Sequence, residues 1–365
     1  VATYFTFENI YKAYISCKKR KTRTLNHLQF SERLEENIFK LESELTDRTY
    51  RPGRSIAFIV QKPKIREIFA AEFRDRVIHH LLFSYLSPIY ERYFIYDSWA
   101  CREHKGTHGA MLRIKKFVGE LEKDSPGFYL KMDIKSYFTS IDQEILYNLI
   151  AKRVKNEEIL WLAKTIIFHD CAHDVEPKIQ SQPSLFEKLP KGKSLFSVRK
   201  GKGLPIGNLT SQFFANVYLN ELDQFVKHKL KARRYVRYVD DFVILEKDKA
   251  ILEYYRTKIT EFVGKRLLLT AHPEKQFISP IQNGIDFVGY LVKQDYILVR
   301  KRVIGEWRRR MDCTDKKLRE KVFTSYVAHS IWANTLTLRK KIAKKLLLPS
   351  RVRPLTAIKA PSVCK

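Results

Sequence analysis

Acidic residues are scarce in this 365-residue sequence: 40 Asp and Glu stand against 69 Lys and Arg, a formal net charge of +29. Such an excess is costly in self-repulsion unless a polyanion neutralises it, and nucleic acid is the usual one. Cysteine is scarce as well. Cys17, Cys101, Cys171, Cys313 and Cys364 are odd in number, scattered, and never in a Cys-x-x-Cys pair. That argues against a disulfide framework and a zinc ribbon, and it fits a reducing cytoplasm. No apolar run approaches the roughly 20 residues of a membrane span, and no basic amphipathic helix stands alone, so no membrane partner is expected. Val1-Ala2-Thr3-Tyr4 carries no signal-peptide pattern, and a cytoplasmic protein is the expectation. Internal repeats are absent. Gly201-Lys202-Gly203 is not a P-loop, because the Gly-x-x-x-x-Gly-Lys-Ser/Thr spacing is missing. His169, Cys171 and His173 have no fourth ligand at suitable spacing and read as a loop with incidental histidines.

What is present points to a folded chain. Hydrophobic residues make up 44% and aromatics 13%, enough for a sizeable core divided into two or three subdomains. Leu34, Ile38, Leu41 and Leu45 recur at helical spacing up to the turn signal Tyr50-Arg51-Pro52-Gly53. Two β-rich runs, 55–60 and 65–70, form an expected hairpin with a basic tip, Gln61-Lys62-Pro63-Lys64. Helices are expected over 74–86, from an N-cap at Thr107 to Leu121, over 143–153, 157–168 and from about 208 to 230. The stretch 169–202 dissolves into Pro, Ser, Gly and Lys and reads as a long surface insertion. From about Arg300 to Lys345 the chain reads as a separate basic helical unit. Trp307, Tyr326 and Trp332 are its expected core, and a flexible basic tail follows.

Three carboxylates stand out. Phe128-Tyr129-Leu130-Lys131-Met132 reads as a buried strand ending in Asp133, and 235–245 as a strand-turn-strand with Asp240-Asp241 at the bend. An isolated Asp-Asp pair would be a solvated turn. Nucleotidyl transfer, however, uses two metal ions about 4 Å apart, and magnesium needs hard oxygen ligands of this kind.

Tyr238-Val239-Asp240-Asp241 matches the Tyr-x-Asp-Asp signature of reverse transcriptases. Asp133-Ile134-Lys135-Ser136-Tyr137-Phe138 resembles their first catalytic motif, and Gly203-Leu204-Pro205-Ile206-Gly207-Asn208-Leu209-Thr210-Ser211-Gln212 their template-and-nucleotide motif. The resemblance covers about residues 50–345. It implies an α+β right-hand polymerase with fingers, a palm built on an antiparallel sheet, and a helical thumb. The implied divisions are an N-terminal helical extension (1–50), fingers with part of the palm (51–125), palm (126–299) with the insertion 169–202, thumb (300–345) and tail (346–365).

The same resemblance assigns roles. Asp133, Asp240 and Asp241, with Ile134, would hold two Mg2+ ions, for which Mn2+ can substitute. Lys64 and Arg66 would grip the incoming dNTP, a task suited to a point charge plus a guanidinium. Phe138 occupies the steric-gate position against a ribose 2′-hydroxyl, and Ile134, Ile206, Gly207 and Gln212 would line the nucleotide and template site. Lys275, in Pro273-Glu274-Lys275, matches the lysine that protonates the leaving pyrophosphate. Phe287, Gly289 and Tyr290, within Ile285–Tyr290, resemble the primer-grip strand.

Many reverse transcriptases carry Gln before the Gly of the middle motif and Pro after its Ser; here those positions are Ile206 and Gln212. This version is similar to the enzymes of diversity-generating retroelements, which copy a template RNA with errors at adenines. Arg102-Glu103-His104-Lys105-Gly106-Thr107-His108 and Ser330-Ile331-Trp332-Ala333-Asn334 resemble that lineage too. The implied partners are a template RNA, nascent cDNA and a small, basic, oligomeric accessory protein. Other readings are a reverse transcriptase of antiphage defence or of a retron, with specialised or template-independent synthesis, and a catalytically idle RNA-binding scaffold. No RNase H-like or HNH endonuclease pattern is visible, which argues against group II intron mobility.

Overall fold

A computed structural model describes residues 3–19, 24–61, 64–121, 127–174, 189–190, 192–312 and 315–345. The expected tail (346–365), the middle of the expected insertion (175–188 and 191) and Lys62-Pro63 of the expected hairpin tip lie outside the described residues.

The centre is a four-stranded antiparallel sheet in the order β4-β5-β3-β6, with β3 at Phe128–Asp133, β4 at Tyr235–Tyr238, β5 at Asp241–Glu246 and β6 at Phe277–Pro280. Alternation along β3 and β5 divides their side chains between two cores. Leu130, Met132, Phe242 and Ile244 enter one, packed under the helices Gln143–Ala151, Leu209–Gln224 and Lys249–Leu267. Tyr129, Val243 and Leu245 enter the other, under the helix Thr107–Glu120 and a smaller sheet made of β7 (Ile285–Phe287), β8 (Tyr290–Val292) and β9 (Ile297–Val299). A strand covered on both faces needs apolar residues on both, hence the near-continuous hydrophobic runs. A separate hairpin pairs β1 (Ile56–Val60) with β2 (Arg66–Ala70).

The N-terminal helices Phe7–Lys18, Leu25–Glu32 and Leu34–Thr46 are part of the larger core. Ile10, Tyr14, Ile38 and Leu41 are buried in one cluster with Val77, Leu81 and Leu82 of the helix Phe73–Glu91. The C-terminal helices Lys301–Met311, Lys316–Ser330 and Leu336–Lys345 have a small core of their own. There Trp307 is fully buried and lies parallel to Tyr326 with ring centres 5.6 Å apart, in keeping with their expected core role. No helix among the described residues is long and apolar enough to cross a membrane.

Three local expectations change. Thr107 is the first helical residue and not the cap; the N-cap is Gly106, at φ 143°, a conformation that glycine tolerates and other residues rarely adopt. The helix expected to reach Leu230 is α-helical only to Gln224 and ends in a wider turn over Phe225–Lys229. There Phe225 stacks on Phe262, with ring centres 4.3 Å apart. The far limb of the expected surface insertion is docked. Buried Glu67 on β2 accepts hydrogen bonds from Ser194 Oγ (3.0 Å) and the Leu195 N–H (2.7 Å), and Phe196 packs on Phe69. A carboxylate out of water needs those donors, and they hold the segment in place.

Candidate active site

The register of β3 against β5 sets Asp133 directly opposite Asp241 at the end of the sheet. Asp133, Asp241, Val243 and Leu245 share one face by alternation. The apolar side chains of that face are covered, and the carboxylates remain part-exposed. Tyr238 pairs with Asp241, leaving Val239-Asp240 as a two-residue turn. Val239 takes φ 56°, an unusual conformation for a β-branched residue, costing about 1–3 kcal/mol. The turn puts Asp240 beside the Asp133–Asp241 pair, close enough for their charges to be felt.

Withdrawal from water pushes Asp240 up to about 6, with the Asp133 charge adding to the rise. Burial also pushes Asp241 up to about 6, opposed by the Lys131 ammonium. Two lysines compensate. Lys275 Nζ donates to both oxygens of Asp133 at 3.1 and 3.0 Å. Lys131 Nζ lies 3.2 Å from Asp241 Oδ2 and donates to the Asp286 carbonyl at 2.6 Å. Asp241 Oδ1 is buried and has no hydrogen-bond partner.

Among the described residues no group of three or more His, Cys, Asp or Glu side chains is placed to hold a metal ion by itself. The donor set nevertheless fits magnesium, which keeps several waters and takes one or two carboxylates plus substrate phosphates. The unpartnered Asp241 oxygen is an open acceptor for such an ion. The Ile134 side chain is buried in the core, which leaves its main chain as the part that can face the site. It faces Ala271 across an antiparallel bridge whose hydrogen bonds run from Lys135 N–H to Thr270 O and from His272 N–H to Asp133 O. In that pattern the Ile134 carbonyl points away from Ala271, to the side of Asp240 and Asp241.

The other expected residues fall into two groups. Lys64 and Arg66, at the end of the β1–β2 hairpin, are close enough to act electrostatically on the carboxylates. Lys64 has its pKa lowered by burial and by the Lys275 charge, against the pull of Asp133, and the Arg66 charge favours ionised Asp240. Phe138 is half-buried against the larger core, and its carbonyl accepts from Leu204 N–H at 2.8 Å, so the first and middle motifs are stitched together. Ile206 is half-buried and its carbonyl accepts from Phe69 N–H at 2.8 Å. A Cβ on Gly207 would stand 2.5 Å from the Phe69 carbonyl oxygen, so only glycine allows β2 to approach this closely. Gln212 is exposed, and its Oε1 accepts from the Cys101 thiol at 3.5 Å.

The primer-grip positions turn inward. Phe287 and Tyr290 are fully buried, and the Tyr290 hydroxyl lies 2.8 Å from His108 Nδ1 and donates to the His329 carbonyl at 2.7 Å. Within Ile285–Tyr290 only Asp286 and the tight turn Val288-Gly289 (φ 44° and 93°) are part-exposed, and Val288 still packs against the edge of that core. The two lineage-like segments meet at this point, where His108 stacks on Trp332 with ring centres 4.9 Å apart. His173 bonds Asp170 at 2.8 Å, and Cys171 is buried with Ala57 and Phe69.

Two residues escaped the sequence reading. Lys131 is two positions before Asp133 and therefore on the same face, a signal that strand alternation provides. Arg237 is a charge inside an apolar strand, between Val236 and Tyr238.

A palm-like antiparallel sheet with paired carboxylates, a cationic hairpin beside it and a terminal set of basic helices is the right-hand polymerase fold. The reverse transcriptase (RNA-dependent DNA polymerase) family profile matches residues 60–292, and the chain belongs to that family of RNA-directed DNA polymerases. It is similar to protein YkfC of Escherichia coli, 24% identical over 78% of this chain and 77% of YkfC. It is also similar to the group II intron-encoded protein LtrA of Lactococcus lactis subsp. cremoris, 23% identical over 71% of this chain and 50% of LtrA. The apo telomerase structure from Candida tropicalis shares the fold, with a TM-score of 0.50 and 13% identity over 81% of this chain and 56% of that one. The chain thus spans only about half the length of LtrA and of the telomerase chain.

Proposed function

We propose that this chain makes cDNA on an RNA template, with Asp133, Asp240 and Asp241 as its metal-holding carboxylates. The observation that carries the reading is the Asp133–Asp241 pairing, with Asp240 alongside and an unpartnered buried oxygen on Asp241. These three carboxylates and the Ile134 carbonyl would hold magnesium, which when bound would supply charge to activate the primer hydroxyl and steady the leaving pyrophosphate. Lys64 and Arg66 bind the triphosphate, and Phe138 closes the sugar side of the site. Lys275 holds a proton at Nζ for the departing pyrophosphate. The part-exposed turn Val288-Gly289 is the segment that would meet the primer.

The finer reading is the error-prone enzyme of a diversity-generating retroelement. Ile206 supports it: an aliphatic side chain beside the nascent base pair makes no polar check on geometry. The meeting of His108 and Trp332, from the two segments that resemble that lineage, supports it as well. A structured RNA and a small basic accessory protein are the proposed partners, seated on the basic helices after Arg300. The similarity to LtrA favours a second reading, an enzyme of group II intron type, and a defence or retron enzyme is the third.

Primer extension on RNA with magnesium and all four dNTPs, with every product sequenced, tests these together. Complementary cDNA with errors concentrated opposite adenines supports the retroelement enzyme. Faithful cDNA favours the intron-type enzyme. Untemplated product favours the defence enzyme, and no product from the wild type with any primer leaves an RNA-binding scaffold.

A further inference from the structure

Arg237, in the middle of β4, has no exposed surface, and neither has Asp223, near the end of the helix Leu209–Gln224. The guanidinium is fully used. Nε donates to Asp223 Oδ1 at 2.7 Å, and Nη2 donates to Asp223 Oδ2 at 2.6 Å and to Ser98 Oγ at 3.0 Å. Nη1 donates to Asn216 Oδ1 at 3.2 Å and to the main-chain carbonyl of Val239 at 2.9 Å. A buried ion pair by itself is weak evidence for stability, because desolvation offsets much of the attraction. The bond to Val239 gives this one a use.

Val239 is the β-branched residue held at φ 56°, and its carbonyl belongs to the peptide plane that carries the nitrogen of Asp240. Anchoring that oxygen sets the plane, and with it the direction in which Asp240 and Asp241 leave the turn. Asn216 and Asp223 both lie on the helix that begins directly after Ile206-Gly207-Asn208. Asn216 also donates to the Ala100 carbonyl at 2.6 Å. One network therefore joins the turn bearing two carboxylates to the helix bearing the template motif.

We propose that Arg237 is a positioning residue for nucleotide addition, holding the Val239–Asp240 peptide so that both aspartates face the metal ions. This rests on the reading of Asp240 and Asp241 as metal-holding carboxylates. The planar fork is needed because four acceptor residues, Asp223, Ser98, Asn216 and Val239, lie in different directions; a lysine supplies the charge for Asp223 but not the second arm to Val239.

The test is R237K in the full chain. With template-primer, kcat should fall about 10²-fold with the KM for dNTP little changed, measured well below the lowered folding temperature that follows from leaving buried acceptors without a donor. The second readout needs no turnover: Mn2+ affinity by electron paramagnetic resonance, with a chain-terminated primer and dNTP, should weaken several-fold. A folded R237K that keeps wild-type kcat or wild-type Mn2+ affinity overturns the proposal. Should R237K fail to fold, Asn216→Val, which leaves the Asp223 pair intact and removes the side-chain acceptor that orients Nη1 toward Val239, is judged by the same two readouts. An inactive wild type whose Mn2+ binding still depends on Asp240 would sink the polymerase reading alone, and Arg237 is then judged on affinity. Mn2+ binding indifferent to Asp240→Asn overturns this proposal too.

Discussion

The ammonium of Lys275 stands 3.1 and 3.0 Å from the two carboxylate oxygens of Asp133, joining residues 142 apart in the chain. The contact places a proton-bearing group beside the carboxylate proposed to hold metal. It also gives Lys275 two separable roles, counterion and acid.

Lys275→Ala should lower the rate of single-nucleotide addition about 10²-fold, the usual worth of a positioned acid. The Lys275 side chain is 45% exposed, so template binding and folding temperature should barely move. Rapid-quench kinetics on one added nucleotide checks this. A rate within about twofold of wild type would leave Lys275 as a counterion only.

Asp240→Asn should abolish incorporation while RNA binding persists. In EDTA it should also be the more stable protein. Burial and Asp133 raise the Asp240 pKa to about 6, so ionisation at pH 7.5 opposes folding. Removing the charge should contribute roughly 1 kcal/mol after allowance for solvent screening. Urea unfolding with and without magnesium measures it, and a less stable variant in EDTA would contradict the electrostatics.

His79 predicts a pH dependence of stability. It is buried and held at about 3, first by burial and then by the charges of His80 and His169, with Thr210 Oγ1 at 2.7 Å from Nδ1. The folded pKa lies below the unfolded one, so the unfolded chain binds the extra proton. The contribution is complete above about 6.5 and is lost as pH falls toward about 3, by at most ~1.4 kcal/mol per pH unit. His79→Gln should flatten the slope of unfolding free energy between pH 4.5 and 6.5 relative to wild type. Equal slopes would refute the assignment.

Gly207→Ala should separate β2 from the middle motif, since the new methyl carbon would sit 2.5 Å from the Phe69 carbonyl oxygen at a backbone φ of 134°. We expect a stability loss of about 2 kcal/mol or more and a larger loss of activity, read by calorimetry and primer extension. Unchanged values for both would mean that the hairpin does not need this approach.

Ile206→Gln should tighten fidelity. Restoring a polar contact worth about 1 kcal/mol would lower misincorporation opposite adenine roughly fivefold. Sequencing products of the wild type and the variant on one RNA template reads this directly. An unchanged error spectrum would detach Ile206 from fidelity.

Much of the frame was legible from local pattern. The near-continuous apolar runs of β3 and β5 announce strands covered on both faces, and each ends or begins at an aspartate because the cover stops there. Asp142 and Asn156 cap the helices after them by accepting from Ile145 N–H and Ile159 N–H, a signal written in four residues. The buried state of Phe287 and Tyr290 was not legible, because resemblance names positions while only packing decides which way a strand's side chains turn.

The sequence by itself determined the charge, the strands, the helices and which carboxylates, far apart in the chain, belong together as a motif. The tertiary structure alone decided how they are held. Lys131 meets Asp241 only because antiparallel register makes them diagonal neighbours. Arg237 reaches Asp223, Asn216 and Val239 only because a helix and a hairpin close over it. Long-range ion pairs leave no periodic trace in a sequence. Their partners are chosen by where desolvated charges find compensation, and that exists only once the chain has folded.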